Sequence, residues 1–415
     1  MARLQSQEQL RSLLSDYYTD LRSPLAWCTS AGPAEILRAL GFRVYFPENH
    51  GAVLGASRTA QRYIPKAHQI GYHSEICSYL TSDIGAWLMR ETPLTKAYGL
   101  PSIPKPDLIV YNTNQCREVG EWFNFFGREF NCPIFGIYAP RHLEDVTIEH
   151  IEHVRYQFQN LIDQGEKIIG KRLDQEQLVE IMVQSQKGTQ LWQEVLATAK
   201  NSPAPLTFFD GCILMAPIVV MRGTRECVDF YEQTLKELLK RVEQQEATIQ
   251  SDNVRLFWDG MPIWGRLRSL SELFENNQAA VVSSTYCNSW VFDDFDPRKP
   301  LESMAAAYTR IFINRGENAK LSILKTLLAD FNIDGVIFHD SKTCFNNTNS
   351  RFGLPKRVRE ETGIDTLQID GDLNDLRFFS DGQTKTRIET FIEQLILKKI
   401  SVSEASNGEV ISAAK

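Results

Sequence analysis

The chain has 415 residues, of which 43% are hydrophobic and 23% charged, and its formal net charge is −7. This length predicts two domains, and the acidic balance argues against a nucleic-acid partner, since phosphate binding requires an excess of basic residues. The N-terminal segment lacks the apolar core of a signal peptide, and no apolar run reaches 18 residues. We therefore expect a cytoplasmic protein without membrane contact, whose eight cysteines remain reduced.

The first half of the chain alternates helical segments with short apolar strands. Leucines and Tyr17 recur at helical spacing in residues 5–22, and Pro24 ends that helix. Residues 145–200 are polar and mostly helical, and the Pro-containing segment 200–205 is the predicted linker. Apolar strand-like runs lie at 43–46, 108–111 and 134–138.

The second half repeats this pattern. Thr224 is the predicted N-cap of a long helix over residues 224–248, and a last helix is predicted at about 385–399. Strands are predicted at 255–258, 279–283, 335–339 and 366–369. Strand–helix alternation predicts an α/β protein with two Rossmann-like or flavodoxin-like parallel-sheet domains, extra helices and a cleft between the domains. The predicted boundaries are 1–200 and 201–400, followed by a disordered tail, 401–415.

Common nucleotide and metal motifs are absent from the sequence. It contains no GxGxxG, HExxH or paired CxxC motif. The segment from Gly165 to Arg172 has the spacing of a phosphate loop, but Arg172 replaces the Ser or Thr that would bind magnesium. We therefore expect no ATP binding by this chain.

Four cysteines occupy positions suited to thiolates. Cys28 and Cys77 lie at predicted helix starts, whereas Cys116 and Cys344 follow predicted strands. Cys132, Cys212 and Cys227 are instead predicted to be packing residues. Spacing alone leaves both metal ligation and simple packing open for the first four.

Several segments resemble a known family over nearly the whole chain. They include Trp27-Cys28-Thr29, Phe46-Pro-Glu-Asn-His-Gly-Ala52, Ser74-Glu-Ile-Cys-Ser-Tyr-Leu80, Thr285-Tyr-Cys-Asn-Ser-Trp290 and Lys342-Thr-Cys-Phe-Asn-Asn347. The chain resembles the family of 2-hydroxyacyl-CoA dehydratases and class I, ATP-dependent benzoyl-CoA reductases. The first, second and last of these segments look like the C-type subunit of the reductases.

The resemblance implies an iron–sulfur cluster between the domains. Its expected ligands are Cys28, Cys77 and Cys344, with Cys116 as the candidate fourth. A 4Fe-4S cluster is expected, although a double-cubane 8Fe-9S cluster, which needs about six cysteines, stays open. The implied partners are a homologous cluster- and substrate-binding subunit, ATP-hydrolysing iron–sulfur activator subunits, ferredoxin and an acyl-CoA substrate.

The resemblance also implies an oxidoreductase activity, the two-electron dearomatising reduction of benzoyl-CoA. The alternatives are radical dehydration of a 2-hydroxyacyl-CoA to an enoyl-CoA and a non-catalytic or double-cubane electron-transfer subunit. We expect His50 to be a proton donor, and Glu48 and Asn49 to bind substrate beside it, although His50 could equally be a surface-loop residue. An aromatic group, Trp258, Trp264, Trp290 and Phe292, is either a pocket wall or core.

Overall fold

The computed structural model describes residues 4–247, 249 and 252–413, and for residues 402–413 the backbone alone. Within that part of the chain, all named strands pair in parallel and form two four-stranded sheets. The first sheet contains β1 Leu25–Cys28, β2 Arg43–Tyr45, β3 Leu108–Asn112 and β4 Ile134–Ile137. The second contains β5 Val254–Asp259, β6 Ala279–Ser284, β7 Gly335–Ser341 and β8 Asp365–Gly371.

The two sheets share one topology, with orders β2-β1-β3-β4 and β6-β5-β7-β8. The chain direction across each sheet reverses beside its first strand, so loops diverge there and leave a crevice at the carboxyl edge. Every residue of β1, β3, β5 and β6 is buried, as expected for strands covered by helices on both faces. The predicted α/β fold with two Rossmann-like or flavodoxin-like sheets is confirmed.

The helices surround and link the two sheets. They are α1 Gln5–Thr19, α2 Ala34–Ala39, α3 Pro47–Ala56, α4 Ala60–Gln69, α5 Ser78–Leu88, α6 Leu94–Tyr98, α7 Glu118–Phe130, α8 Ile148–Ile169, α9 Gln175–Ala197, α10 Phe208–Leu214, α11 Ala216–Val220, α12 Arg225–Glu243, α13 Leu267–Asn276, α14 Thr285–Asn288, α15 Pro300–Thr309, α16 Glu317–Asp330, α17 Leu354–Thr362 and α18 Asp381–Ala413. None of the described helices combines the length and apolarity required to cross a lipid bilayer.

Three predicted elements differ from the structure. The segment expected to be a loop at 46–52 begins a helix, because Pro47 occupies the first helical turn, where its missing N–H has no intrahelical partner to lose. The long helix capped by Thr224 ends at Glu243, and residue 248 lies outside the described residues. Helix α18 continues to Ala413 through most of the segment predicted to be disordered, which contains one glycine and no proline to end a helix.

The two halves of the chain share one hydrophobic core, which contains buried residues from both sheets. Helices cross between the halves, because α9 packs against α12 and α8 packs against α15. Helix α3 also approaches the loop after β8 closely at Gly55, where an added Cβ atom would collide with the Asn374 Oδ1 atom. The carboxyl edges of both sheets are thereby held against the same space.

Candidate functional site

A cavity of about 1150 Å³, including its open mouth, lies where the loops at the two carboxyl edges meet. The first sheet contributes Ser30 after β1 and Cys116 after β3, and the second contributes Met261 after β5 and Cys344 after β7. This volume is at the upper end of ligand pockets. Each sheet therefore presents the edge at which open α/β sheets bind ligands.

Three thiols line this cavity together: Cys77, Cys116 and Cys344. Burial raises the pKa of each thiol, and so does a neighbouring thiol, Cys344 for Cys77, Cys77 for Cys116 and Cys116 for Cys344. This cyclic influence means that the three sulfurs are mutual neighbours. Without a compensating positive charge they remain protonated, whereas a bound metal would reverse that balance.

Backbone N–H groups are directed at the same three sulfurs. Against the effect of burial, hydrogen bonds from the backbone of Leu80 and Tyr79 lower the pKa of Cys77, the N-cap of α5. Hydrogen bonds from Val119 and Asn347 similarly lower the pKa values of Cys116 and Cys344, whose pKa values burial raises. Amide donors to cysteine sulfur are a feature that tunes iron–sulfur centres.

Cys28 occupies a different environment. It is the last residue of β1, it is fully buried, and it is absent from the cavity lining. Burial raises its pKa first, and the charges that affect it belong to Arg222, Glu48, Glu35 and Arg38 rather than to another thiol. The structure therefore brings together Cys77, Cys344 and the candidate fourth ligand, Cys116, and leaves Cys28 apart from them.

The donor set suits a cluster better than a single ion. Among the described residues, no three His, Cys, Asp or Glu side chains converge closely enough to hold one metal ion. In an iron–sulfur cluster each thiolate binds a different iron, so its sulfurs lie further apart than the ligands of a single ion. Three thiols with amide donors around an open cavity fit that requirement.

Glu48 faces the cavity, as expected for a residue that binds substrate. The backbone N–H and the hydroxyl of Ser30 donate hydrogen bonds to Glu48 Oε2, at 2.7 and 3.1 Å. Burial nevertheless raises the pKa of the carboxyl to about 7. Asn49 also lines the cavity, and its amide donates to the Tyr18 hydroxyl at 2.6 Å.

His50 points away from the cavity. Its side chain is fully buried, with Nδ1 2.5 Å from Asp83 Oδ1 and Nε2 2.9 Å from Thr92 Oγ1. Because residues two positions apart in a helix do not share a face, α3 cannot present both Glu48 and His50 to the same space. The geometry thus gives no support to the predicted role of His50 as a proton donor.

The aromatic group divides between wall and core. Trp264 and Trp290 line the cavity, whereas Trp258 and Phe292 are buried outside it. Sequence reasoning missed Tyr79 and Tyr286, which also line the cavity, and the Trp264 indole N–H donates to the Tyr79 hydroxyl. It missed Ser30 as well, although its position two residues beyond β1 was a usable signal.

This fold and site define a class of two-sheet α/β proteins with a thiol-lined cavity between the carboxyl edges. The chain belongs to the family described as "2-hydroxyglutaryl-CoA dehydratase, D-component", whose model matches residues 29–395. It is 28% identical over 381 residues to the (R)-phenyllactyl-CoA dehydratase alpha subunit of Clostridium sporogenes, and the match covers 90% of each chain.

Two further relatives show the breadth of the family. The chain is 27% identical to the lactoyl-CoA dehydratase alpha subunit of Anaerotignum propionicum, over 89% of this chain and 90% of the relative. It is 24% identical to one of the benzoyl-CoA reductase subunits of Thauera aromatica, over 87% and 86%. The family expected from the sequence is confirmed, whereas its particular likeness to the C-type reductase subunit stays a prediction.

Proposed function

We propose that this chain is the cluster- and substrate-binding subunit of a 2-hydroxyacyl-CoA dehydratase. The observation that carries the proposal is the convergence of three thiols on one cavity between the two sheets. The dehydratase alpha subunits match this chain at 27 and 28% identity, above the 24% of the reductase subunit. That order favours dehydration, the alternative in the sequence analysis, over the reduction placed first there.

Cys77, Cys116 and Cys344 would hold a 4Fe-4S cluster, in place of the set containing Cys28. Such a cluster supplies a transferable electron and a Lewis-acidic iron beside the substrate. Three protein thiolates leave one iron of four free for a ligand that is not a cysteine. Only one further cysteine, Cys212, lines the cavity, which is fewer than a double-cubane cluster requires.

Glu48 is our candidate proton carrier. Dehydration removes a hydroxyl group and a neighbouring hydrogen from the acyl chain as one water molecule, so a proton must be accepted and a proton must be given. A carboxyl whose pKa is about 7 can do both near neutral pH. Ser30 holds Glu48 Oε2 by two hydrogen bonds, which fixes the direction of the transfer.

The proposed partners follow from the relatives, which are named as subunits. We propose a homologous partner subunit and a separate ATP-hydrolysing, iron–sulfur activator supplied by ferredoxin. The phosphate-loop-like segment agrees with a separate ATPase, since Gly165 lies inside α8 and Gly170 ends that helix in the left-handed conformation.

Anaerobic purification followed by iron and sulfide analysis, electron paramagnetic resonance and product analysis tests this function. We expect about four irons per chain and, with the activator and partner subunit, an enoyl-CoA product without net consumption of reductant. A chain free of iron and sulfide after anaerobic reconstitution contradicts the proposal.

Benzoyl-CoA reduction is the second candidate, favoured by the indole rings of Trp264 and Trp290 in the cavity wall. Two electrons consumed for each benzoyl-CoA converted, with ATP hydrolysed in proportion, would establish reduction instead of dehydration.

A further inference from the structure

The cavity wall beyond the three thiols is apolar. Helices α10 and α11 contribute Met215 and Val219, the segment after β5 contributes Met261 and Trp264, and the segment before α16 contributes Ile311 and Ile313. Met215, Val219 and Ile311 are each less than 9% exposed. This wall belongs to different elements of both halves, so it is a formed chamber rather than one apolar helix face.

The charged side chains that line the cavity are all of one sign. Among the described lining residues the charged groups are Glu48 and Glu118, and none is Lys, Arg or His. The nearby guanidinium of Arg141 already donates to the Gln115 carbonyl oxygen at 3.1 Å and to Asn346 Oδ1 at 2.7 Å. The buried Arg222 is likewise held by Glu35 and by main-chain carbonyls.

From this distribution we propose that the substrate carries an uncharged, hydrophobic acyl chain and that the chamber excludes acyl chains ending in a carboxylate. The inference rests on the proposed acyl-CoA function and specifies its substrate class. A terminal carboxylate would lose its hydration among methyl, thioether and indole groups, with two acidic side chains nearby and no cation to replace the water. A branched or aromatic terminus would instead bury its carbon against the same groups.

Two thioesters of the same shape provide the test. The terminal groups of 5-methylhexanoyl-CoA and glutaryl-CoA differ only in two methyl groups against two carboxylate oxygens, and neither compound contains the 2-hydroxyl group needed for turnover. Calorimetric titration of the full-length, anaerobically purified chain measures binding of each without requiring catalysis. We expect glutaryl-CoA to bind about tenfold more weakly or worse.

Met261 offers a variant that places a cation in the chamber with little change in length. Met261 binds its neighbours through its carbonyl, which accepts from the Trp258 indole and lies 2.6 Å from His339 Nδ1, so a side-chain change leaves those contacts in place. We expect Met261→Lys to reverse the preference towards glutaryl-CoA, whereas the matched control Met261→Leu retains the wild-type order. Circular dichroism of both variants verifies that they fold.

The outcomes separate the two proposals. Comparable affinity of the wild-type chain for both thioesters overturns the hydrophobic specificity alone and leaves the acyl-CoA function standing. Failure of either thioester to bind, in a chain that contains iron, overturns the acyl-CoA function and the specificity with it. An unchanged preference in folded Met261→Lys would also contradict the assignment of this chamber to the acyl chain.

Discussion

Individual side chains separate the cysteines of this protein into two kinds. The thiols of Cys77, Cys116 and Cys344 share a cavity and receive backbone N–H groups, whereas Cys28 is enclosed in the core at the end of β1. Burial raises the pKa of all four, so burial does not distinguish them. Their neighbours do.

Replacement of each cavity cysteine by Ala should remove most of the bound iron. Each variant loses one of three thiolates, and the remaining two cannot hold all of the cluster. Iron and sulfide content per chain, measured after anaerobic reconstitution, checks this. Cys132→Ala is the matched control, and Cys28→Ala should also retain iron. Iron loss in a folded Cys28→Ala protein would restore Cys28 to the ligand set.

Glu48 should impose a pH dependence on stability. Its pKa is 4.5 when unfolded and about 7 when folded, so the unfolded chain ionises first as pH rises. The contribution is therefore fully present below pH 4.5 and is lost as pH rises to about 7. The loss is on the order of 1–3 kcal/mol, since the partly buried carboxyl keeps some solvation.

The variant Glu48→Gln cannot ionise, so its free energy of unfolding should lack this decline. Urea unfolding at pH 5 and pH 8 measures the difference for the wild-type chain and the variant. The variant should also reduce turnover by about 10²–10⁴, the range for a lost general acid–base. An identical pH slope in both proteins would refute the assigned titration.

At the scale of elements, a buried network fixes the loop between β1 and α2. Arg222 donates to the carbonyl oxygens of Ser30 and Gly32 at 3.3 and 3.2 Å and to Glu35 Oε1 at 2.9 Å. Tyr308 of α15 donates to Glu35 Oε2 at 2.6 Å. Because Ser30 in turn holds Glu48, three helices orient the carboxyl without touching the cavity.

Removal of the Tyr308 hydroxyl should disturb Glu48 from a distance. Tyr308→Phe leaves Arg222 and Glu35 with one partner fewer in the core, which costs about 1–3 kcal/mol. We expect the pH–rate profile governed by Glu48 to shift, a change that simple loss of stability does not produce. Tyr111→Phe, which removes a hydroxyl bonded to Tyr138, is the control. An unshifted profile in Tyr308→Phe would mean that the loop is held without this network.

The strands were largely predictable from sequence, and the helix α3 was not. Apolar runs located seven of the eight strands within the described residues, but the four-residue β1 escaped notice. The segment Phe-Pro-Glu-Asn-His-Gly has turn-like composition, yet helical packing against α5 overrides it. The same error placed His50 beside Glu48, since a loop imposes no fixed facing on neighbouring residues.

The site was predictable in kind but not in membership. Cys28 and Cys116 were both assigned to the ends of adjacent strands, correctly for position. Sequence spacing does not reveal that Cys28 is still inside its strand, whereas Cys116 lies beyond β3 in a loop that reaches the cavity. Only tertiary packing separates the two.

At the scale of the whole molecule, the helices bind the two halves into one unit. Helices α8 and α9 precede the predicted boundary at residue 200, yet they pack against α15 and α12 of the second half. The two-domain boundary stays a prediction. We expect the fragment 1–200 to lack a cooperative thermal transition, since it would expose the faces that α12 and α15 cover. Circular dichroism melting checks this; a fragment that melts cooperatively would argue for independent domains.

The three cavity thiols come from separate parts of the chain: Cys116 follows β3, Cys344 follows β7, and Cys77 caps α5. Metal seated among them would rivet one lobe to the other, and a species bound only by the native form adds to its stability. Air that destroys the cluster would then do mechanical as well as chemical damage. Limited proteolysis should be faster after iron is stripped than before, with early cleavage along the seam between the lobes.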